Sequence, residues 1–506
     1  MAERAPKAAE IPVGDTLAQR AARLELDGRA FIGGKRCAAE SDARFDVINP
    51  ATDAHLASLP DAGAREVDEA VASARAAFAD GRWRSLAPSA RAKILQRFAA
   101  RIAEDAETLG LLDTLQMGKP AAQAIAGVRE AAEGLEVTAA QIETLGDQIV
   151  PSAPGALFMQ ARRPRGVVAT ITAWNYPVQI ALAKVGAGLA MGNSVVLKPS
   201  EIAPLACLRL AELAAEAGVP DGVLNALPGT GRRTGRLLAL HEDVDCLTFV
   251  GSTATGQALM QYAGQSNMKA LLLECGGKSP QIVFDDMGDP EGLAAALVGG
   301  FVANSGQICV SGSRILLAVS VYDRVLPYLA AEVERLAIGD PMAEDTALAP
   351  LATAAQADKV RGFIESGCDA GRCVAKGQDA TGLETAVAPH LFVVKDPDCR
   401  MAQEEIFGPV GAVLRFSGPE DAIRIANATR YGLSATVWTR DIALAHRVTR
   451  ELDAGFVFAH ATTRPSDPGV RSLSGEPCRM SGFGIDGGAL GMLSYTRLQA
   501  VGYLLG

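Results

Sequence analysis

Of the nine cysteines in this 506-residue chain, Cys309 is the one whose surroundings suit a reactive thiol. It lies in NSGQICVSGSR (Asn304–Arg314), a run of small and polar residues directly after the apolar GLAAALVGGFVA. A structural cysteine prefers an apolar slot, where its pKa rises and it is inert. A nucleophilic one needs a partly open, polar bend whose N–H groups stabilise negative charge. Taken alone, a single cysteine reads more simply as a small core residue. Glu274 ends the apolar LLLE just before CGG, so its carboxylate either caps an N–H or stands ready as a base. Asn175, in TAWNYPVQ, is either a turn former or an amide donor aimed at an oxyanion. A thiol, a base and an amide donor are the parts needed to attack a carbonyl carbon.

A second set of residues has the types that hold a dinucleotide. FVGSTATG (Phe249–Gly256) reads as a strand, a turn at Gly251 and a helix start, with Ser252 and Thr253 beside free N–H groups. Such serines and threonines also serve simply as caps. In LKPSE, Lys198 and Glu201 fall just past a strand end, where an acid commonly holds ribose hydroxyls. Other glycine strings fail on inspection. GFGIDG (Gly482–Gly487) matches G-x-G-x-x-G, but no strand precedes it. GTGRRTG (Gly229–Gly235) follows a strand with one residue too many. CGGKS would need a glycine at Leu272 to be a P-loop.

The elements that must position these groups follow from periodicity. Ala64–Leu145 is rich in Ala and Glu with apolar residues at three and four, which predicts two or three helices. From Arg165 onward, GVVATIT, NSVVLK, GVLNAL, DCLTFV and KALLLE alternate with helical patterns, which predicts a wound parallel sheet. SPQIVF, SRILLAV, GPVGAVLRF, SATVWT and GFVFA predict a second α/β domain. The first 22 residues have no apolar secretory core and read as a loose tail. A net charge of −10 argues against nucleic acid or an anionic membrane as partner, and no apolar run is long enough to span a bilayer. Without C-x-x-C pairs or clustered histidines no metal is expected, and the cytoplasm is the simplest location.

In their order and wording, ITAWNYP, LKPSE, FVGSTATG, LECGGKSP, SGQIC and QEEIFGPV resemble the signature set of the aldehyde dehydrogenase superfamily, in its non-acylating branch. The resemblance runs from about Phe31 to the C-terminus. It implies Cys309 as nucleophile, Glu274 as general base, and an oxyanion hole from the Asn175 amide and the Cys309 N–H. Lys198 and Glu201 would hold the adenosine ribose, with Gly231, Gly251, Ser252 and Trp174 along the cofactor and Glu405 and Phe407 at its nicotinamide end. Tyr176, Ile308 and His460 would border the substrate. The implied cofactor is NAD rather than NADP, since Glu201 would repel a 2′-phosphate. The implied layout is a Rossmann-type domain (23–141 and 164–275), a catalytic domain (276–482) and a β arm (142–163 and 483–506) that builds a homodimer or homotetramer.

Departures from the family pattern are local. The late strand GFVFA runs into His460, the later loop reads SLSGEPCRMSG (Ser472–Gly482), Asp486 stands where Glu is usual, and Gln116 replaces an acid associated with a monovalent cation. LECGGKSP and TLQMGKP are most similar to enzymes of amino-aldehydes such as γ-glutamyl-γ-aminobutyraldehyde, while the late loop is not. His460 reads most simply as a surface histidine and Cys275 as structural. Alternative functions are a CoA-acylating relative, a thiol esterase, and a catalytically weak member with a binding or structural role.

Overall fold

The computed structural model describes residues 16–38, 42–379, 381–463 and 472–505. Two wound sheets carry the molecule. In the first, five parallel strands run in the order Leu224–Ala226, Ser194–Lys198, Val167–Ile171, Cys246–Val250 and Ala270–Glu274. Val167–Ile171 is buried at every residue, as a strand covered by helices on both faces must be. The chain steps outward from Val167–Ile171 through two strands on one side, then returns to lay Cys246–Val250 on the other. The order therefore reverses between Val167–Ile171 and Cys246–Val250, and ligands bind at the carboxyl ends of strands at such a switch point. Trp174 and Asn175 follow one of these strands, and Gly251 and Ser252 follow the other.

The second sheet has six parallel strands, His390–Val394, Val410–Phe416, Arg314–Ala318, Pro280–Val283, Ser434–Trp438 and Phe456–His460, with Gly371–Lys376 antiparallel at one edge. A third, three-stranded sheet joins Thr496–Leu504, Ala156–Pro164 and Gln148–Val150. Among the described residues no helix is long and apolar enough to cross a membrane.

Two sequence expectations are corrected. Ala64–Leu145 holds four helices, Ala64–Ala79, Pro88–Glu104, Ala106–Met117 and Ala121–Gln141, rather than two or three. The long apolar pattern breaks at Asp105 (φ −94°, ψ 11°), whose carboxylate is held by Arg209 at 2.6 Å on a neighbouring helix. The next helix stops at Gly118, in the left-handed conformation that favours glycine. The loose tail also ends earlier than residue 22. Thr16 and Gln19 form a capping box on the short helix Leu17–Ala21, and Ala21 packs with Leu111 and Ala121. The rest of that tail, residues 1–15, lies outside the described residues.

Gln116 is buried with both ends of its amide satisfied. Nε2 donates to the Leu112 carbonyl (2.9 Å), and Oε1 accepts from the Leu205 N–H (2.8 Å) at the start of the Leu205–Glu216 helix. The neutral amide thus satisfies an N–H that a helix start leaves unpaired.

Candidate active site

Helix Pro290–Val302 delivers the chain to three consecutive left-handed residues, Asn304 (φ 50°), Ser305 (φ 55°) and Gly306 (φ 74°). For the two with side chains this costs about 1–3 kcal/mol each and persists only if the surroundings over-determine it. They do. Asn304 Nδ2 donates to the Asn175 carbonyl (2.9 Å), Ser305 Oγ donates to the Ala349 carbonyl (2.6 Å), and Gln307 Oε1 accepts from the Ala352 N–H (3.0 Å). The bend turns Cys309 toward the first sheet. Asn175 is 3% exposed, and its Nδ2 donates to the Gln307 carbonyl at 2.8 Å. That uses one amide N–H and leaves the second for an oxyanion.

Glu274 reaches the same place from the end of its strand, and the two following glycines make this possible. A Cβ on Gly276 would stand 2.5 Å from Glu405 Oε2, and one on Gly277 would stand 2.4 Å from the Cys309 carbonyl oxygen. Glu405 Oε1 in turn accepts from the Gly277 N–H at 3.0 Å. Burial pushes the Glu274 carboxyl up to about 8; Lys184 opposes this, while Asp486 and Glu476 reinforce it. A base near that value suits water activation close to neutral pH.

Lys184 and Asp486 form an ion pair of 2.8 Å within the field of Glu274. Sequence reasoning assigned Lys184 no role; its one signal was a lone cation inside the apolar PVQIALAKVGAGLA helix. Glu476 was also missed. Its Oε1 accepts from the Gly484 N–H (3.0 Å) in the loop that lays Gly482–Phe483 antiparallel on Glu274's own strand. GFGIDG is therefore an edge strand and a turn, as its failure to follow a strand implied.

The electrostatics at Cys309 differ from what its polar loop suggested. The residue is partly exposed, yet burial of the thiol, then the charges of Glu405 and Glu274, push it up to about 12. Its own N–H and that of Val310 pull the other way without offsetting this. Cys275 is buried beside Gly256, with its thiol likewise pushed up to about 12.

At the switch point lie the residues expected to hold a cofactor. Ser252 caps the helix Thr253–Gln265, its Oγ accepting from the Thr255 N–H at 3.2 Å. Lys198, 1% exposed, holds Glu201 Oε2 at 3.1 Å, and Glu201 Oε1 accepts from the Gly231 N–H at 3.3 Å. Burial alone would raise the Glu201 carboxyl, but Lys198 and the Gly231 amide bring it below its ordinary value. Beside Cys309's neighbour Glu405, Phe407 packs edge-on against Trp174 with ring centroids 5.4 Å apart. The donor set fits a dinucleotide: an ionised acid for ribose hydroxyls, a helix start for the pyrophosphate, and a glycine, Gly231, where a side chain would stand in front of Glu201.

Of the proposed substrate-side residues, Tyr176 lies within electrostatic reach of Cys309; burial first, then that thiol's charge, raise its phenol. Ile308 is partly exposed beside Cys309. His460 stacks on Trp438, with ring centroids 4.7 Å apart.

Comparison with known proteins agrees with this geometry. The model of the aldehyde dehydrogenase family matches residues 37–501. The NADP/NAD-dependent aldehyde dehydrogenase PuuC of Escherichia coli (strain K12) is 38% identical over 483 residues, 95% of this chain and 97% of that protein. A solved indole-3-acetaldehyde dehydrogenase complexed with NAD+ superposes with a TM-score of 0.93 at 41% identity, covering 97% of this chain and 100% of that one. The γ-glutamyl-γ-aminobutyraldehyde dehydrogenase of Burkholderia cenocepacia J2315 does so with a TM-score of 0.92, also at 41% identity and the same coverage. The chain belongs to the aldehyde dehydrogenase family, enzymes that oxidise aldehydes to carboxylic acids.

Proposed function

We propose that this protein oxidises its aldehyde through a covalent intermediate on Cys309, with NAD as cofactor. The observation that carries the reading is Glu274, a carboxyl raised to about 8, in the electrostatic field it shares with the partly exposed Cys309 thiol. NAD, when bound at the switch point, supplies the hydride acceptor and a positively charged ring that favours a nearby thiolate. The Cys309 sulfur forms a bond to the carbonyl carbon, and the carbonyl electron pair moves onto oxygen. The spare Asn175 N–H and the Cys309 backbone N–H stabilise that oxyanion. As the carbonyl re-forms, the C–H bond breaks with its electron pair and a thioester remains. Glu274 takes a proton from water, the new C–O bond forms, and the C–S bond breaks to return the thiolate.

The test is NADH formation with purified protein and a panel of aliphatic, aromatic, terpenoid and amino-aldehydes. Turnover that disappears in Cys309→Ala supports the reading; turnover retained in that variant refutes it. A CoA-acylating reaction would leave Glu274 without a task, so hydrolysis is the better-supported fate of the thioester.

Within this reading, Lys198 and Glu201 bind the adenosine ribose, Gly231, Gly251, Ser252 and Trp174 line the cofactor, and Glu405 and Phe407 position its reactive end. Amino-aldehydes such as γ-glutamyl-γ-aminobutyraldehyde are the substrate class that LECGGKSP and TLQMGKP favour, and a relative named for that substrate shares 41% of its residues with this chain. The Rossmann-type, catalytic and arm segments are assigned as 23–141 with 164–275, 276–482, and 142–163 with 483–506. The three-stranded sheet leaves Ile149, Leu498, Tyr503 and Leu504 exposed, which supports a homo-oligomer assembled through it. Cytoplasmic residence is the location consistent with its free cysteines.

A further inference from the structure

We propose that Lys119, Gln179 and Tyr176 form a subsite for the far end of the substrate, and that this end carries a carboxylate. The inference rests on Cys309 being the residue that receives the aldehyde. Lys119 is 6% exposed, and its Nζ lies 4.0 Å from the centroid of the Tyr176 ring. Tyr176 also lies within electrostatic reach of Cys309, so one aromatic side chain shares the fields of both the thiol and the ammonium. No carboxylate oxygen of the described residues lies within 4.0 Å of Lys119 Nζ, and no acceptor is within hydrogen-bond distance. Asp113, the nearest buried acid in sequence, instead accepts from the Val178 backbone and leaves its Oδ1 without a partner.

Gln179 faces the same space. The Cβ position of Gly127 lies 2.1 Å from Gln179 Nε2 and 3.7 Å from Lys119 Nζ, so the two donors lie near one another and the Gln179 amide occupies the place that a side chain at residue 127 would need. Among the described residues Gln179 Nε2 has no acceptor, and its Oε1 is buried without a donor. Two convergent donors, one charged, with no acceptor between them, match the two oxygens of a carboxylate. Asp113 and Glu130 act on Lys119 only through their charge, without a direct ion pair, so a substrate anion would supply the close partner that its ammonium lacks. Burial depresses Lys119, and the charges of Asp113 and Glu130 favour its ammonium form. The substrate class is thus an aldehyde whose chain ends in, or branches to, a carboxylate.

The experiment compares kcat/KM for matched pairs, succinic semialdehyde against butanal and adipic semialdehyde against hexanal, in the NAD-supplemented full-length enzyme. We expect the carboxylated member of at least one pair to be preferred by about tenfold or more, mainly through KM, as for a charged hydrogen bond. Lys119→Met is expected to reduce that preference by about tenfold, and Gln179→Leu to reduce it less. Equal or reversed preference in the wild type for both pairs overturns the proposal, as does an undiminished preference in Lys119→Met. If Lys119→Met does not fold, Gln179→Leu decides: an undiminished preference there overturns the proposal too. Failure of the underlying catalytic reading looks different, because then no aldehyde, charged or neutral, yields Cys309-dependent NADH.

Discussion

A Cβ on Gly277 would lie 2.4 Å from the carbonyl oxygen of Cys309, closer than real side chains approach. The loop that carries the base and the loop that carries the nucleophile are therefore in contact through a position with no side chain. The obstruction is backbone, which cannot swing aside as the end of a flexible side chain would. Gly277→Ala should part the two loops and lower kcat by at least about tenfold, since misplacement by around 1 Å can cost ~100-fold. Steady-state kinetics beside a thermal melt checks this: a large loss of kcat with a preserved melt is expected, and wild-type kcat would contradict it.

The pH profile follows from Glu274. Its carboxyl is raised to about 8 by burial, so the base form is scarce at pH 6 and accumulates as pH rises through 8. When thioester hydrolysis limits turnover, kcat should climb up to about that pH and then level. Asp486 raises Glu274 directly and also neutralises Lys184, which lowers it. Asp486→Asn should therefore move the ascending limb to lower pH. A limb that stays in place or moves to higher pH would show that this ion pair does not govern the base.

Asn175 contributes one amide N–H to the Gln307 carbonyl and holds one in reserve. Removing a single oxyanion donor typically costs ~2.7–4 kcal/mol in the transition state. Asn175→Ala should lose about a hundredfold or more in kcat, and part of that loss reflects the bend, because Asn304 is tied to the Asn175 backbone. Less than tenfold would remove Asn175 from the oxyanion hole.

Glu201 is held ionised by Lys198 and the Gly231 N–H. A carboxylate there accepts from ribose hydroxyls and repels a 2′-phosphate. We expect kcat/KM to favour NAD over NADP, and Glu201→Gln to narrow the gap by raising the NADP value. An approximately tenfold preference of the wild type for NADP would reverse the assignment.

What the sequence revealed and concealed has a physical pattern. Strand ends followed by turn residues were legible because they obey local rules, and Lys198, Ser252, Glu274 and Asn175 all lie at such ends. The break at Asp105 was hidden because the partner that holds its carboxylate, Arg209, is distant in sequence. The Lys184–Asp486 pair was hidden for the same reason, since the fold joins a mid-helix lysine to a C-terminal turn. The thiol's electrostatics were misjudged because the polar letters around Cys309 said nothing of the burial that the fold imposes on it, nor of Glu405 and Glu274, which the fold brings alongside. His460 was identifiable as a strand end but not as the stacking partner of Trp438.

In the proposed mechanism the oxidised substrate is held on Cys309 until Glu274 activates water. The most direct measurement is intact-protein mass spectrometry of Glu274→Gln after mixing with NAD and an aldehyde that the wild type turns over, followed by peptide mapping. One acyl adduct per chain, located on Cys309, is expected together with a single burst of NADH. An NADH burst with no adduct on Cys309, or steady turnover of Glu274→Gln at the wild-type rate, would contradict it.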